Sequence, residues 1–183
     1  MGTERGTDRL DDLLAEHASW LAVERGLRPN TLDAYGRDLR AYADFLRGRG
    51  LHDPARVSEQ VVRDFVDALT SCRDDEGHPR YSPASVARAL VPVRSFHAFC
   101  VEEGATSEDA AQEVRAPRVP VGLPKALSEV EVTALLGAVP GDEARAARDR
   151  AILETLYAAG IRISELVGLD RGDVDLQGGL VRV

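Results

Sequence analysis

The residues best suited to chemistry stand in LYAAGIRISELVGL, residues 156–169, where Arg162 falls at a joint between two apolar helical runs. A guanidinium stays charged and presents a planar fork of N–H donors, which matches the oxygens of a phosphate or a carboxylate. Gly160, two residues earlier, lets a helix stop in a left-handed turn. Glu165 follows Arg162 by three residues, so on a helical turn its carboxylate reaches back toward the guanidinium. The alternative for Glu165 is a surface carboxylate. Tyr157, Ile161, Ile163, Leu166 and Leu169 give Arg162 an apolar setting.

Other reactive side chains form no constellation. His17 lies on or beside an apolar stripe and reads as packed, and His78 sits in a polar loop beside Pro79 without a companion ligand. Cys72 and Cys100 are far apart, with no histidine at ligand spacing, and read as reduced thiols. No metal or cofactor is expected. The net charge of -8 speaks against a nucleic-acid partner. Residues 1–117 hold 15 basic and 21 acidic residues, and residues 118–183 hold 8 and 10, so neither part reverses the sign. DNA binding would need a localised basic face. Lys125 is the single lysine in a chain whose other cations are arginines. The charged N-terminus and the lack of about 18 consecutive apolar residues indicate neither secretion nor a membrane span, leaving the cytoplasm as the default.

Helical periodicity supplies the elements that must position these groups. Leu10, Leu13, Leu14, His17, Trp20 and Leu21 predict a helix over residues 8–24, ended by Gly26 and Pro29. Asn30 or Thr31 can cap a second helix with the stripe Leu32, Tyr35, Leu39, Tyr42 and Leu46. Its opposite face carries Arg37, Arg40, Asp44 and Arg47, which periodicity alone reads as a solvated face with an Arg40–Asp44 pair. Ser58 can cap a third helix with Val62, Phe65, Val66 and Leu69 inside, followed by the polar surface loop SCRDDEGHPRYS. A fourth helix over residues 83–103 buries Val86, Leu90, Val93, Phe96 and Cys100, while Ser85, Arg88 and Ser95 face elsewhere. Pro92 inside it predicts either a kink or a local break.

After Gly104 the stripe is lost, and Pro117, Pro120 and Pro124 mark an extended, locally basic linker with Arg115, Arg118 and Lys125. The expected domains are residues 1–114 and 128–183, joined by a linker over 115–127. The second opens with a capping box, Ser128 and Glu131, and a possible staple of Leu127 on Val132. Val132, Leu135, Leu136 and Val139 should face a core, as should Ile152, Leu153, Leu156 and Tyr157 of a helix over 143–159. A short helix follows Arg162, and after a polar turn GGLVRV alternates like a strand with no partner, so the second domain is expected to be incomplete.

LYAAGIRISELVGL closely resembles the first conserved box of the tyrosine recombinase family, metal-independent DNA strand-exchange enzymes. Three further stretches agree in order and spacing. LAVERGLRPNTLDAYGRDLRAYADFLRGRG resembles the start of the Xer recombinases' core-binding domain, YSPASVARALVPVRSFHAFCVEEG its last long helix, and LPKALSEVEVTALL the entry to their catalytic domain. The loop at residues 72–81 and the VARALVPVRSFHAF helix are nearer the XerD branch than the XerC branch. The resemblance implies a mainly α fold, a helical core-binding (SAM-like) bundle followed by the incomplete start of a mixed α/β catalytic domain.

It also implies a mechanism in which a tyrosine attacks a DNA phosphodiester, leaving a 3′-phosphotyrosine and a free 5′-hydroxyl, and a second strand reverses the attack. Arg162 matches the family's first catalytic arginine, and Glu165 the acidic residue that helps order the site. The catalytic lysine, the H-x-x-R box and the nucleophile would lie beyond Val183. None of the four histidines has arginine three residues on, and Tyr35, Tyr42, Tyr81 and Tyr157 fall outside the nucleophile's place, with Tyr157 read as a core aromatic. The chain is therefore expected to bind DNA without cleaving it. By resemblance the second and fourth helices lie against the major groove and the linker crosses the backbone, which makes Arg37, Arg40, Ser85, Arg88 and Lys125 candidate DNA contacts. The implied role is chromosome-dimer resolution during cell division, on a duplex recombination site with a XerC-like partner and a DNA translocase of the FtsK type. A phage or mobile-element integrase of the same family, or a catalytically inactive DNA-binding or regulatory protein, is the alternative.

Overall fold

A computed structural model describes residues 9–119, 126–141 and 143–183. The chain divides into two units, Met1–Val121 and Gly122–Val183. The first is built from α1 (Arg9–Val23), α2 (Pro29–Arg47), α3 (Glu59–Ser71) and α4 (Pro83–Glu102). The second holds α5 (Glu129–Gly137), α6 (Ala144–Ala159), α7 (Ile163–Val167) and a hairpin of β1 (Val174–Asp175) and β2 (Leu180–Val181). This mainly α architecture is the expected one.

The apolar stripes close the first core. Leu10, Leu13, Leu39, Tyr42, Leu46, Val62, Phe65, Val86, Leu90, Val93, Phe96 and Cys100 are buried together. At roughly 1.5–3 kcal/mol for each large side chain removed from water, this cluster is the main stabilising term of the unit. Residues after α4 add to it. Ala111 and Val114 are buried, and the Arg94 guanidinium donates to the Val114 carbonyl, which ties the returning segment to α4.

Several details differ from the pattern-based expectation. Neither Asn30 nor Thr31 caps α2: the helix begins at Pro29 with Arg28 at its cap, because proline's missing N–H and fixed φ suit a first-turn position. Asp44 pairs with Arg47 at 2.9 Å instead of Arg40, and Arg47 also pairs with Asp11 of α1. α4 runs unbroken through a buried Pro92, which excludes a local break. The loop after α3 folds back on itself, with Arg80 N donating to the Cys72 carbonyl and Asp74 Oδ1 accepting from the amides of Glu76 and His78. His78 is exposed, as expected.

Two histidines lie inside the first unit, and both are fully buried. His17 Nε2 lies 3.0 Å from the Ser95 hydroxyl, so Ser95 turns toward α1 rather than away from the core. The His17 ring stacks on Trp20 and touches Phe96 and Phe99. His97 Nε2 lies 2.8 Å from the Tyr42 hydroxyl, linking α4 to α2. Nδ1 of each ring is buried without a hydrogen-bond partner. Burial pushes both imidazoles down to about 4, an effect that the Asp109 carboxylate partly offsets at His97. The unfolded chain, with ordinary histidines, therefore binds more protons between pH 6.5 and 4. Stability is full above about pH 6.5 and falls as the pH drops toward 4, by on the order of 3 kcal/mol for each histidine. Thermal melts followed by circular dichroism from pH 7.5 to 4 should show this loss. His97→Gln, which keeps a neutral hydrogen-bonding group, should flatten the slope by about one proton; an unchanged slope would place the titration elsewhere.

The second unit has a thin core. Ser128 caps α5 as expected, its Oγ accepting from Glu131 N at 3.3 Å while Glu131 Oε2 accepts from Ser128 N at 2.8 Å. The bonds that its carboxylate accepts from the Ser128 amide and hydroxyl hold Glu131 below its ordinary range. Among the described residues only Val132 and Ala146 of this unit are buried. Leu135 and Tyr157, expected inside, are 46% and 59% exposed. Three helices and one short hairpin offer too little facing surface to cover them. The strand at Leu180–Val181 is not alone: it pairs antiparallel with Val174–Asp175. Asp175 Oδ1 accepts from the amides of Gln177 and Gly178, and Gly179 takes φ +65°, so Gly178 and Gly179, read as the start of the strand, instead belong to the turn that closes the hairpin.

Candidate functional site

Arg162 is positioned by the ends of two helices. α6 stops at Gly160, whose φ of 62° and ψ of 20° are left-handed, the conformation glycine adopts without a Cβ clash. Arg162 then stands in extended conformation at the N-cap of α7. Glu165 makes the reach its spacing allows: Oε2 accepts from Arg162 N at 2.7 Å, and Oε1 accepts from Arg162 Nη1 at 2.7 Å. These bonds hold the Glu165 carboxyl below its ordinary range, the backbone bond contributing most. One carboxylate thus caps the short helix and fixes the arginine. The setting is less apolar than the composition of the stretch implies, since the Arg162 side chain is 82% exposed and Ile163 59% exposed. The contact made by Nη1 leaves Nε and Nη2 available as donors to an anion from solvent.

The candidate DNA-contacting residues of the first unit lie on α2 and α4, but not at one point. Arg37 and Arg40, one turn apart, are exposed and have no ion pair among the described residues. Arg40 borders an apolar groove against α1, with Leu14, Leu21, Leu32, Tyr35 and Leu39. Ser85 and Arg88 lie on the other side, around a small recess with Asp38, Phe65 and Tyr81. Ser85 sits in the first turn of α4, its hydroxyl 2.9 Å from that of Ser82, whose Oγ also accepts from Ser85 N. Arg88 Nη1 donates to Asp38 Oδ2 at 2.7 Å, bridging α4 to α2. Lys125 lies outside the described residues.

Periodicity did not single out Asp38. It stands fifty residues from Arg88 in the chain, and no local pattern marks such a pairing. Among the tyrosines, Tyr42 is buried and its hydroxyl pushed upward in pKa by desolvation, so it is closed to a substrate. Tyr35 is half-buried, and Tyr81 and Tyr157 reach the surface. No helix among the described residues is long and apolar enough to cross a membrane.

Comparison with known proteins gives the family of the chain. Residues 14–104 match the phage integrase N-terminal SAM-like domain, and residues 125–183 match the phage integrase family. The chain belongs to that family, the tyrosine recombinases. Within it the chain is similar to proteins named Tyrosine recombinase XerD. It is 45% identical to that of Mycobacterium leprae (strain TN) over 93% of this chain and 55% of the relative. Identity is 41% with that of Pseudomonas aeruginosa, over 91% of this chain and 52% of the relative. The chain spans about half the length of the curated relatives it matches. Among solved structures, a XerA recombinase aligns over 95% of this chain and 55% of that chain, with 24% identity and a TM-score of 0.42.

Proposed function

We propose that this chain is the DNA-binding and arginine-bearing portion of a XerD-like site-specific recombinase. The observation that carries the reading is Arg162, fixed at the start of α7 by Glu165 with donors to spare, inside residues that match the phage integrase family. In strand cleavage by a tyrosine nucleophile, negative charge builds on the non-bridging oxygens of the phosphate. A preoriented guanidinium donates to those oxygens, and the transition state gains more from this than the ground state does. Glu165 orders the arginine without occupying its whole donor set.

The first unit and the linker supply the affinity. Arg37 and Arg40 on α2, Ser85 and Arg88 on α4, and Lys125 make contacts mainly to phosphate, which hold the duplex without reading much sequence. The domains act as residues 1–114 for core binding, 115–127 as a basic linker and 128–183 as part of the catalytic unit. The role is resolution of chromosome dimers in the cytoplasm, on a two-armed duplex site, with a XerC-like partner and an FtsK-type translocase as activator. The XerD names of the relatives favour this over a phage or mobile-element integrase.

These 183 residues contain no H-x-x-R box, and their single lysine precedes α5 in the chain. We therefore expect the chain to bind a nicked suicide duplex and form no covalent adduct with it, as read by a denaturing gel. An adduct would show that one of the four tyrosines, with the exposed Tyr81 and Tyr157 first in line, serves as nucleophile.

A further inference from the structure

Affinity for phosphate does not account for the carboxylate that the fold places against Arg88. The Asp38 side chain is 15% exposed, whereas that of Arg88 is 61% exposed. The recess beside them has a volume of about 40 Å³, too small for a ligand of its own, so the chemistry available there is that of the outward-facing arginine. A guanidinium has five N–H donors. Asp38 takes a bond from Nη1 at 2.7 Å, and among the described residues no other group accepts from Arg88. The edge formed by Nε–H and Nη2–H is therefore left whole, two parallel donors matched to a pair of acceptors.

We infer that Asp38 is a positioning residue: it holds Arg88 so that this free edge engages an acceptor pair on duplex DNA, either O6 and N7 of a guanine or two oxygens of one phosphate. The inference rests on the DNA-binding reading above. Two effects oppose each other. The carboxylate cancels part of the arginine's charge and repels phosphate. It also removes rotamer freedom that a loose arginine would lose on binding, and it fixes the plane of the fork. Because Asp38 is itself held by its half-buried place on α2, it gives the arginine a fixed anchor, and the ordering effect is the larger at a bidentate contact.

The test is a double-mutant cycle read by DNA affinity on a duplex carrying a two-armed recombination site. Arg88→Ala and Asp38→Ala should each weaken binding about tenfold, in the range of one bidentate contact. Asp38→Asn, which keeps an acceptor oxygen without the charge, should stay within about threefold of the native chain. Asp38→Ala should have no further effect once Arg88 is alanine. Asp38→Ser replaces the alanine variant should that variant not fold by circular dichroism. Asp38→Ala binding as tightly as the native chain, or weakening binding equally in the Arg88→Ala background, overturns the positioning role. A native chain that binds no DNA overturns the DNA-binding reading and this inference with it.

The two acceptor sources separate by scanning the duplex. A single 7-deazaguanine position that weakens the native chain but not Arg88→Ala identifies a guanine, and a single methylphosphonate position behaving so identifies a phosphate. Sensitivity to neither, beyond what Arg88→Ala retains, overturns the bidentate contact.

Discussion

The 183-residue chain should shift a two-armed recombination duplex in a native gel at about 50 mM salt and lose most of that affinity as salt rises. With about four phosphate contacts the expected slope of log affinity on log salt is roughly -3.6, on the order of 100-fold between 50 and 200 mM. The sign of the net charge makes this prediction a sharp one. A chain at -8 has no general attraction for DNA, so the proposed binding rests on local cations, those of α2 and α4 together with Lys125. Arg37→Ala and Arg40→Ala should each reduce the slope by about one and weaken binding to specific and random duplexes alike. No binding at 50 mM, or binding that ignores salt, would remove these arginines from the DNA interface. Because Arg40 borders the groove against α1 while Arg88 lies on the opposite side of α2, a larger effect at Arg88 than at Arg40 would show which flank meets the duplex.

The second large effect concerns chemistry. In a chimaera that continues from Val183 into the following residues of the Mycobacterium leprae XerD relative, Arg162→Ala should slow single-turnover cleavage by about 10²–10³-fold, the usual loss for one preorganised donor to a developing oxyanion. Arg162→Lys should recover only a small part, because an ammonium keeps the charge but not the planar fork. Duplex affinity should hardly change, since the proposed DNA contacts lie on α2, α4 and the linker, apart from Arg162. Cleavage by Arg162→Ala within threefold of the parent chimaera would make Arg162 structural. A loss of affinity equal to the loss of rate would make it a binding residue, because uniform binding does not lower the barrier.

Much of this was legible before any coordinates. Each helix of the first unit is amphipathic, so its apolar spacing marked the buried face, and Tyr42, Leu46, Phe65, Val93 and Phe96 are buried as their stripes require. The turn at Gly160, the capping box at Ser128 and the return of Glu165 onto Arg162 are contacts within four residues, and local spacing states them directly. What escaped was set by packing between distant segments or by its absence. Ser95 turns inward because α1 brings His17 to it across 78 residues, and Tyr42 meets His97 across 55. Tyr157 is apolar enough for a core, yet the residues around it provide no surface to cover it.

The sequence by itself therefore determined the helices, their inner faces, the capping around Arg162 and the resemblance that the family match upheld, because these depend on spacing along one chain. The tertiary structure alone decided which charges remain free. Arg47 is drawn to Asp11, Arg88 to Asp38, and Arg37 and Arg40 have no ion pair among the described residues. Ion pairing between helices depends on distances through space, which the order of residues does not contain.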